Sequence, residues 1–204
     1  YEALPDDGVA VVNVDDAFAP YFLERIGHRA VLRFGMHSNA DISAKLLKQN
    51  IDSSSFELIT PAGQSIIHFA FPGQHNVMNA LAATAMALAA GVAFDAIVTG
   101  LKNARPVAGR QVMMELDNDA ILIDDSYNAN PGSVVAAIDA LATACALDKK
   151  TAVLVLGDMA ELGESGEVLH TQVGMYAKSQ GIKQIFACGD LSRATCSGFG
   201  DGAQ

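Results

Sequence analysis

From Gln111 onward, short apolar runs alternate with longer Ala- and Val-rich stretches, and this alternation restricts the fold more than any other feature of the chain. Gln111–Leu116 and Ala120–Ile123 have the length of strands and flank Asp117-Asn118-Asp119, three turn-forming residues. Gly132–Ala146 then reads as a helix, Ala152–Leu156 as a strand, Glu167–Gln180 as a helix and Gln184–Cys188 as a strand. Strands separated by helix-length segments are joined by crossovers, which implies a largely parallel sheet with covering helices. The fold class expected is α/β.

The first hundred residues follow a different pattern. Val9–Val14 is a β-branched run ending in Asn13-Val14-Asp15-Asp16, Ala17–Ile26 reads as helical, and Ala30–Phe34 as another strand. Ile42–Asn50 reads as a short helix or irregular chain. Phe56–Thr60 and Ser65–Phe71 flank Pro61-Ala62-Gly63-Gln64, which predicts a β-hairpin. Two helices follow, over Asn76–Ala90 and Phe94–Asn103, the first ending at Gly91, a residue that tolerates the left-handed conformation. Asn103–Gly109, with Pro106 and Gly109, is the best linker. Two domains are expected, 1–108 and 109–204. Tyr1–Pro5 lacks an initiator Met and begins as if within a helix. The tail Gly198–Gln204 closes no recognisable domain, so the sequence is expected to be a piece of a longer protein.

Half of the 204 residues are hydrophobic and 18% are charged, enough apolar content for a sizeable core. The net charge of -10 argues against nonspecific nucleic-acid binding, which needs Lys and Arg to neutralise phosphates. It leaves room for a nucleotide, because a few N–H groups or one Arg suffice for a phosphate. Cys145, Cys188 and Cys196 show no CxxC spacing and read as reduced thiols of a cytosolic protein, the first two in the core. No apolar run reaches membrane-spanning length.

Four segments carry chemistry. In Pro72-Gly73-Gln74-His75-Asn76-Val77-Met78-Asn79-Ala80, Asn76 and Asn79 would share one helix face. Their amides both donate and accept, so they could read the edge of an adenine ring; equally, Asn76 could cap the helix. Gly109-Arg110 places a guanidinium beside a flexible residue. It could swing onto a phosphate or simply pair with a surface carboxylate.

Asp124-Asp125-Ser126-Tyr127-Asn128-Ala129-Asn130-Pro131 crowds polar groups at a strand-to-helix crossing, where α/β sheets bind ligands. Asp125 could accept from a ribose, Tyr127 could stack on a base, and Asn128 and Asn130 could touch a ligand or support the turn. Pro131 suits a first helical turn. In Val155-Leu156-Gly157-Asp158-Met159-Ala160-Glu161-Leu162-Gly163, Gly157 permits close backbone approach. Asp158 and Glu161 could hold an ammonium group or be solvated acids. His170 reads as part of a helical face rather than a metal ligand. No GxxxxGK(S/T), GxGxxG after a strand, HExxH or GxSxG occurs, so neither a phosphate-cradling loop nor a zinc or nucleophilic site is expected.

In this order, PGQHNVMNALAA, VAGRQ, LIDDSYNANPGS and VLGDMAELG resemble the Mur ligases, ATP-dependent amide-forming enzymes of peptidoglycan synthesis. The motifs span Pro72 to Gly163, and four in register are far more specific than any one. The DDSYNANP and GDMAELG forms are most similar to the member that adds D-alanyl-D-alanine to UDP-N-acetylmuramoyl-tripeptide through an acyl phosphate. The resemblance implies the later part of a central ATPase domain (1–108) followed by an incomplete Rossmann-like C-terminal domain (109–204). It implies ATP and Mg²⁺ as cofactors, a monomer in the cytoplasm, and no membrane insertion. Asn76 and Asn79 would lie near adenine, and Arg110 would act catalytically on the phosphates when domains close. Asp125, Tyr127, Asn128 and Asn130 would border ribose and base, while Gly157, Asp158 and Glu161 would face the dipeptide. No metal ligand is assigned. The family's phosphate-binding Lys and Thr, metal-binding acid and carbamoylated Lys have no counterpart here, so the isolated polypeptide is expected to be inactive. The rival readings are another Mur-type or folylpolyglutamate-type ligase, and a non-catalytic nucleotide-binding module.

Overall fold

The computed structural model describes residues 1–37, 39–50 and 52–204, and only the backbone of Leu147 and Asp148. Contacts divide the chain into two units, Tyr1–Arg105 and Pro106–Gln204.

The first unit is built on one five-stranded sheet. Its strands are β1 (Val9–Asn13), β2 (Ala30–Gly35), β3 (Ile42–Gln49), β4 (Ser54–Thr60) and β5 (Gly63–Phe69), in that spatial order. The first three are parallel, and β3–β4 and β4–β5 are antiparallel. Helix α1 (Ala19–Ile26) makes the β1–β2 crossover and buries Ala19 and Ile26 with Ala10 and Val12. Helix α2 (Gln74–Ala89) lies on β1 to β4 and places Val77, Leu81 and Ala85 against Phe34, Phe56, Leu58 and Ile67. Helix α3 (Phe94–Asn103) packs on β5 and α2.

The hairpin over Pro61–Gln64 forms as predicted, with Thr60 paired to Gly63. Gly91 takes φ +81° after α2, and the Val92 N–H reaches back to the Ala87 carbonyl at 2.9 Å, closing the helix end in the expected left-handed manner.

Two expectations fail in this unit. Ile42–Asn50 is strand through Gln49 rather than helix or irregular chain. Ala44, Lys45, Leu46 and Gln49 are good helix formers, but the segment is bracketed by β2 and β4, and pairing to two neighbours overrides local preference. A register shift between Leu46 and Lys48 accommodates the exposed Leu47. Tyr1–Pro5 forms turns, not a helix; Tyr1 Oη donates to the Val11 carbonyl at 2.8 Å and Arg29 Nε to the Leu4 carbonyl at 2.9 Å.

The second unit begins with the antiparallel pair β6 (Val112–Glu115) and β7 (Ile121–Asp124). The turn between them holds Asn118 and Asp119 at φ 61° and 60°, the left-handed pair that suits a tight hairpin. Helix α4 (Pro131–Asp148) follows, then β8 (Val153–Gly157), α5 (Gly166–Ser179) and β9 (Gln184–Cys188), with β8 and β9 parallel as the crossover requires. The core gathers Val134, Ile138, Leu154, Met159, Val173, Ile182 and Ile185.

A helix that the sequence pattern did not reveal, α6 (Ser192–Phe199), packs closely on α5. Beyond it the tail docks on β9, where the Gln204 N–H donates to the Ile185 carbonyl at 3.0 Å. Cys188 is exposed, contrary to its expected place in the core, because it sits on the outward face of β9; Cys145 is half-buried, and none of the three forms a disulfide among the described residues.

Candidate functional site

In the first unit the candidate residues open α2. Gly73, at φ 84°, occupies the N-cap, so Asn76 is not the cap. Asn76 sits in the first turn, half-buried, and its Nδ2 donates back to the Pro72 carbonyl at 2.7 Å, tying loop to helix. Asn79 is exposed one turn later. A spacing of three puts both amides on one side of the helix.

In the second unit the Asp124–Pro131 crossing is built around a buried glycine. Gly109 has φ +74°, and a β-carbon there would approach the Tyr127 nitrogen to 3.0 Å. Its carbonyl accepts the Tyr127 N–H at 3.0 Å. The glycine read as a flexible pivot is therefore fixed to the turn, and its conformational freedom serves a left-handed position that other residues adopt only with strain. Arg110 follows directly and lays its guanidinium over the Tyr127 ring, 4.2 Å from Cζ to centroid. Both side chains are exposed.

Asp124 organises the turn from within. Its Oδ1 accepts the Ser126 hydroxyl at 2.6 Å and the Ser126 N–H at 3.1 Å. These two bonds, in that order, hold its carboxyl below the usual range; partial burial opposes them and the Gly109 N–H adds to them. Asp125 points outward and has no hydrogen bond or ion pair to any described residue. Asn128 Oδ1 accepts the Ala129 N–H at 2.9 Å.

Asn130 is the N-cap of α4. Its Oδ1 accepts the Ser133 N–H at 2.9 Å, and its own N–H donates to Ser133 Oγ at 3.0 Å. Pro131 starts the helix, where a missing N–H costs nothing. The octapeptide thus separates into groups whose polar atoms are bonded within the turn, Asp124 and Asn130, and exposed groups that point away from it, Asp125 and Tyr127.

The loop after β8 separates in the same way. Gly157 is exposed, with the nearest atom to a notional β-carbon 3.9 Å away. Asp158 Oδ1 accepts the Ser192 hydroxyl at 2.6 Å and the Ser192 N–H at 2.7 Å, joining the end of β8 to the start of α6. The Ser192 hydroxyl chiefly lowers its pKa; burial opposes this, and the N–H groups of Ser192, Leu191 and Asp190 reinforce it. Gly189 makes room, since a side chain there would collide with the Asp158 carboxylate. Glu161, at φ 62°, is exposed and has no partner among the described residues.

His170 and Ser192, which the sequence did not single out as functional, anchor this loop through α5 and α6. Their contacts lie 11 and 34 residues along the chain, so no local motif announces them. Among the described residues no three His, Cys, Asp or Glu side chains gather to hold a metal ion, and no helix is long and apolar enough to cross a membrane.

Residues 1–87 match the Mur ligase middle domain and residues 109–199 the domain described as Mur ligase, glutamate ligase domain. The chain belongs to the Mur ligase family.

Among its relatives, the UDP-N-acetylmuramoyl-tripeptide--D-alanyl-D-alanine ligase of Escherichia coli (strain K12) is 40% identical over 98% of this chain and 44% of its own length. The chain therefore spans less than half of that relative. A crystal structure of MurF from Acinetobacter baumannii superposes with a TM-score of 0.87 at 35% identity, covering 98% of this chain and 42% of the other. The MurF ligase of Thermotoga maritima, solved in complex with ADP, shares the fold at a TM-score of 0.75 and 19% identity over 97% of this chain and 44% of its own.

Proposed function

We propose that this chain is part of an ATP-dependent ligase that joins D-alanyl-D-alanine to UDP-N-acetylmuramoyl-tripeptide in peptidoglycan precursor synthesis. The observation that carries this reading is the turn around Gly109 and Asp124–Tyr127. It presents a planar cation, an aromatic ring and an unengaged carboxylate together, in a chain 40% identical to the E. coli enzyme of that name. A guanidinium suits phosphate oxygens, a ring suits a base, and a carboxylate suits ribose hydroxyls.

These residues fit a nucleotide. Arg110 would neutralise phosphate charge, Asp125 and Tyr127 would border ribose and base with Asn128 beside them, and Asn76 and Asn79 would address adenine. Asn130 is the weakest of the set, because its amide oxygen already caps α4. Mg²⁺ at a nucleotide is held by one or two carboxylates together with phosphate oxygens and waters; no residue of this chain is assigned to it, and no step here depends on the metal.

Bound ATP would supply the phosphoryl group that converts the tripeptide carboxylate to an acyl phosphate, leaving ADP; attack of the dipeptide amine at the acyl carbon would then form the amide and expel inorganic phosphate. The chain's own residues bind, orient and neutralise, the main work in phosphoryl chemistry. At the amine, Asp158 is engaged by Ser192, which leaves Glu161 as the loop carboxylate available to an ammonium group, with Gly157 offering open backbone. The two domains proposed are 1–108 and 109–204, and the enzyme is proposed to act as a cytoplasmic monomer. The sequence contains no GxxxxGK(S/T), so on this reading the polypeptide alone does not turn over.

The test is phosphate release by the full-length protein, with each component omitted in turn. Release that requires ATP, the UDP-linked tripeptide and the amine together is expected. Turnover by the 204-residue chain alone would contradict the division of labour.

A further inference from the structure

The loop after β8 is held at consecutive residues from two helices, at Asp158 by Ser192 and at Met159 by His170. The Met159 N–H donates to His170 Nε2 at 3.0 Å, and His170 Nδ1 lies 2.7 Å from the Gly166 carbonyl. A carbonyl only accepts, so Nδ1 carries the proton and Nε2 is the acceptor. The ring is therefore neutral, with each nitrogen committed to one partner. His170 is 1% exposed and Met159 2%, so water cannot replace either bond. Two residues beyond this anchored amide, Glu161 turns outward at φ 62°.

We propose that His170 is a positioning residue for the ligation reaction: its Nε2 fixes the Met159 amide and thereby sets where the Gly157–Gly163 loop presents Glu161 to the amine substrate. The inference rests on the dipeptide reading above. An ordinary core histidine would hold the fold together without bearing on any one substrate. A positioning residue acts through a loop that meets only the amine.

The test uses two substitutions in the full-length enzyme that separate the ring's two ends. His170→Gln extends an amide oxygen toward the Nε2 position and keeps an acceptor for Met159. His170→Asn reaches only the Nδ1 position and loses that acceptor. The account expects His170→Asn to raise KM for D-alanyl-D-alanine about tenfold, while KM for ATP and for the UDP-linked tripeptide stays within about twofold. His170→Gln is expected to recover most of the loss. Adding Glu161→Gln to His170→Asn should cost less than it does in the wild type, because the two act through one loop. Amide exchange at Met159 should quicken in His170→Asn alone.

Equal rises in all three KM values, or a lower melting temperature with every KM unchanged, would overturn the proposal. A wild type inert toward the dipeptide but active with another amine would overturn the substrate reading instead, and the same contrast measured with that amine would then decide His170.

Discussion

The Arg110 guanidinium rests 4.2 Å above the centre of the Tyr127 ring, and the same turn fixes both residues through the backbone of Gly109. Stacking pre-orients a side chain that would otherwise sample many rotamers, so less entropy would be lost in gripping a phosphate, the role proposed for it. In the full-length enzyme, Arg110→Ala is expected to reduce kcat/KM for ATP by roughly 10- to 100-fold, the worth of a charge-assisted hydrogen bond. Arg110→Lys should restore little, because an ammonium lacks the planar fork. Tyr127→Leu should cost about 2- to 5-fold, in line with an exposed cation–π contact, and Tyr127→Phe less. Steady-state kinetics with varied ATP reads all four.

Asn130 separates a structural from a ligand role. Its reciprocal bonds with Ser133 satisfy the first turn of α4, and losing a cap of this kind costs about 1 kcal/mol. Asn130→Ala and Ser133→Ala are each expected to lower denaturant stability by about that amount. The double variant should cost less than their sum, because both break one box. KM for ATP should move little in Asn130→Ala; a tenfold rise would instead make Asn130 a nucleotide contact.

The α5–α6 contact depends on the absence of side chains at two positions. A methyl group at Gly174 would collide with the Thr195 carbonyl, and one at Gly198 with the Thr171 carbonyl. Gly174→Ala and Gly198→Ala are each expected to destabilise the second unit by about 1–3 kcal/mol, the usual cost of overpacking. Elsewhere in an exposed helix the same change would be neutral or stabilising. Thermal unfolding of the chain measures the difference.

Acid should remove the stability that the turns after β7 and β8 contribute. Asp124 and Asp158 both have folded pKa values below 3.8, so the unfolded chain takes up their protons at a higher pH than the folded chain does. Their contribution is fully present above the unfolded value and is lost as pH falls through the folded values. Stability should therefore drop below about pH 4, and the drop should be shallower in Asp124→Asn and Asp158→Asn. Urea midpoints between neutral pH and the acid limb would show this. An unchanged acid limb in both variants would contradict it.

Apart from α6, the strands and helices of the second unit were legible because each is a segment of strand or helix length bounded by turn residues. The hairpin at Pro61–Gln64 was legible for the same reason. β3 was not, since Ala44–Gln49 has helical preferences and becomes a strand only through its neighbours. Helix α6 was hidden because Ser192, Thr195, Ser197 and Gly198 are poor helix formers; the segment is helical because Gly174 and Gly198 let it lie tightly on α5. At the candidate site, the turns after β7 and β8 stood out in the sequence. In the first turn the reading set Asp125 rather than Asp124 toward a ligand; in the second it gave Asp158 and Glu161 alike, because the bond that occupies Asp158 comes from the distant Ser192.

The most direct measurement is the mass of the product formed when the full-length enzyme is given ATP, UDP-N-acetylmuramoyl-tripeptide and a mixture of D-alanyl-D-alanine with single amino acids. The account predicts one product, the tripeptide extended by the dipeptide. A product extended by a single amino acid, with none carrying the dipeptide, would contradict it.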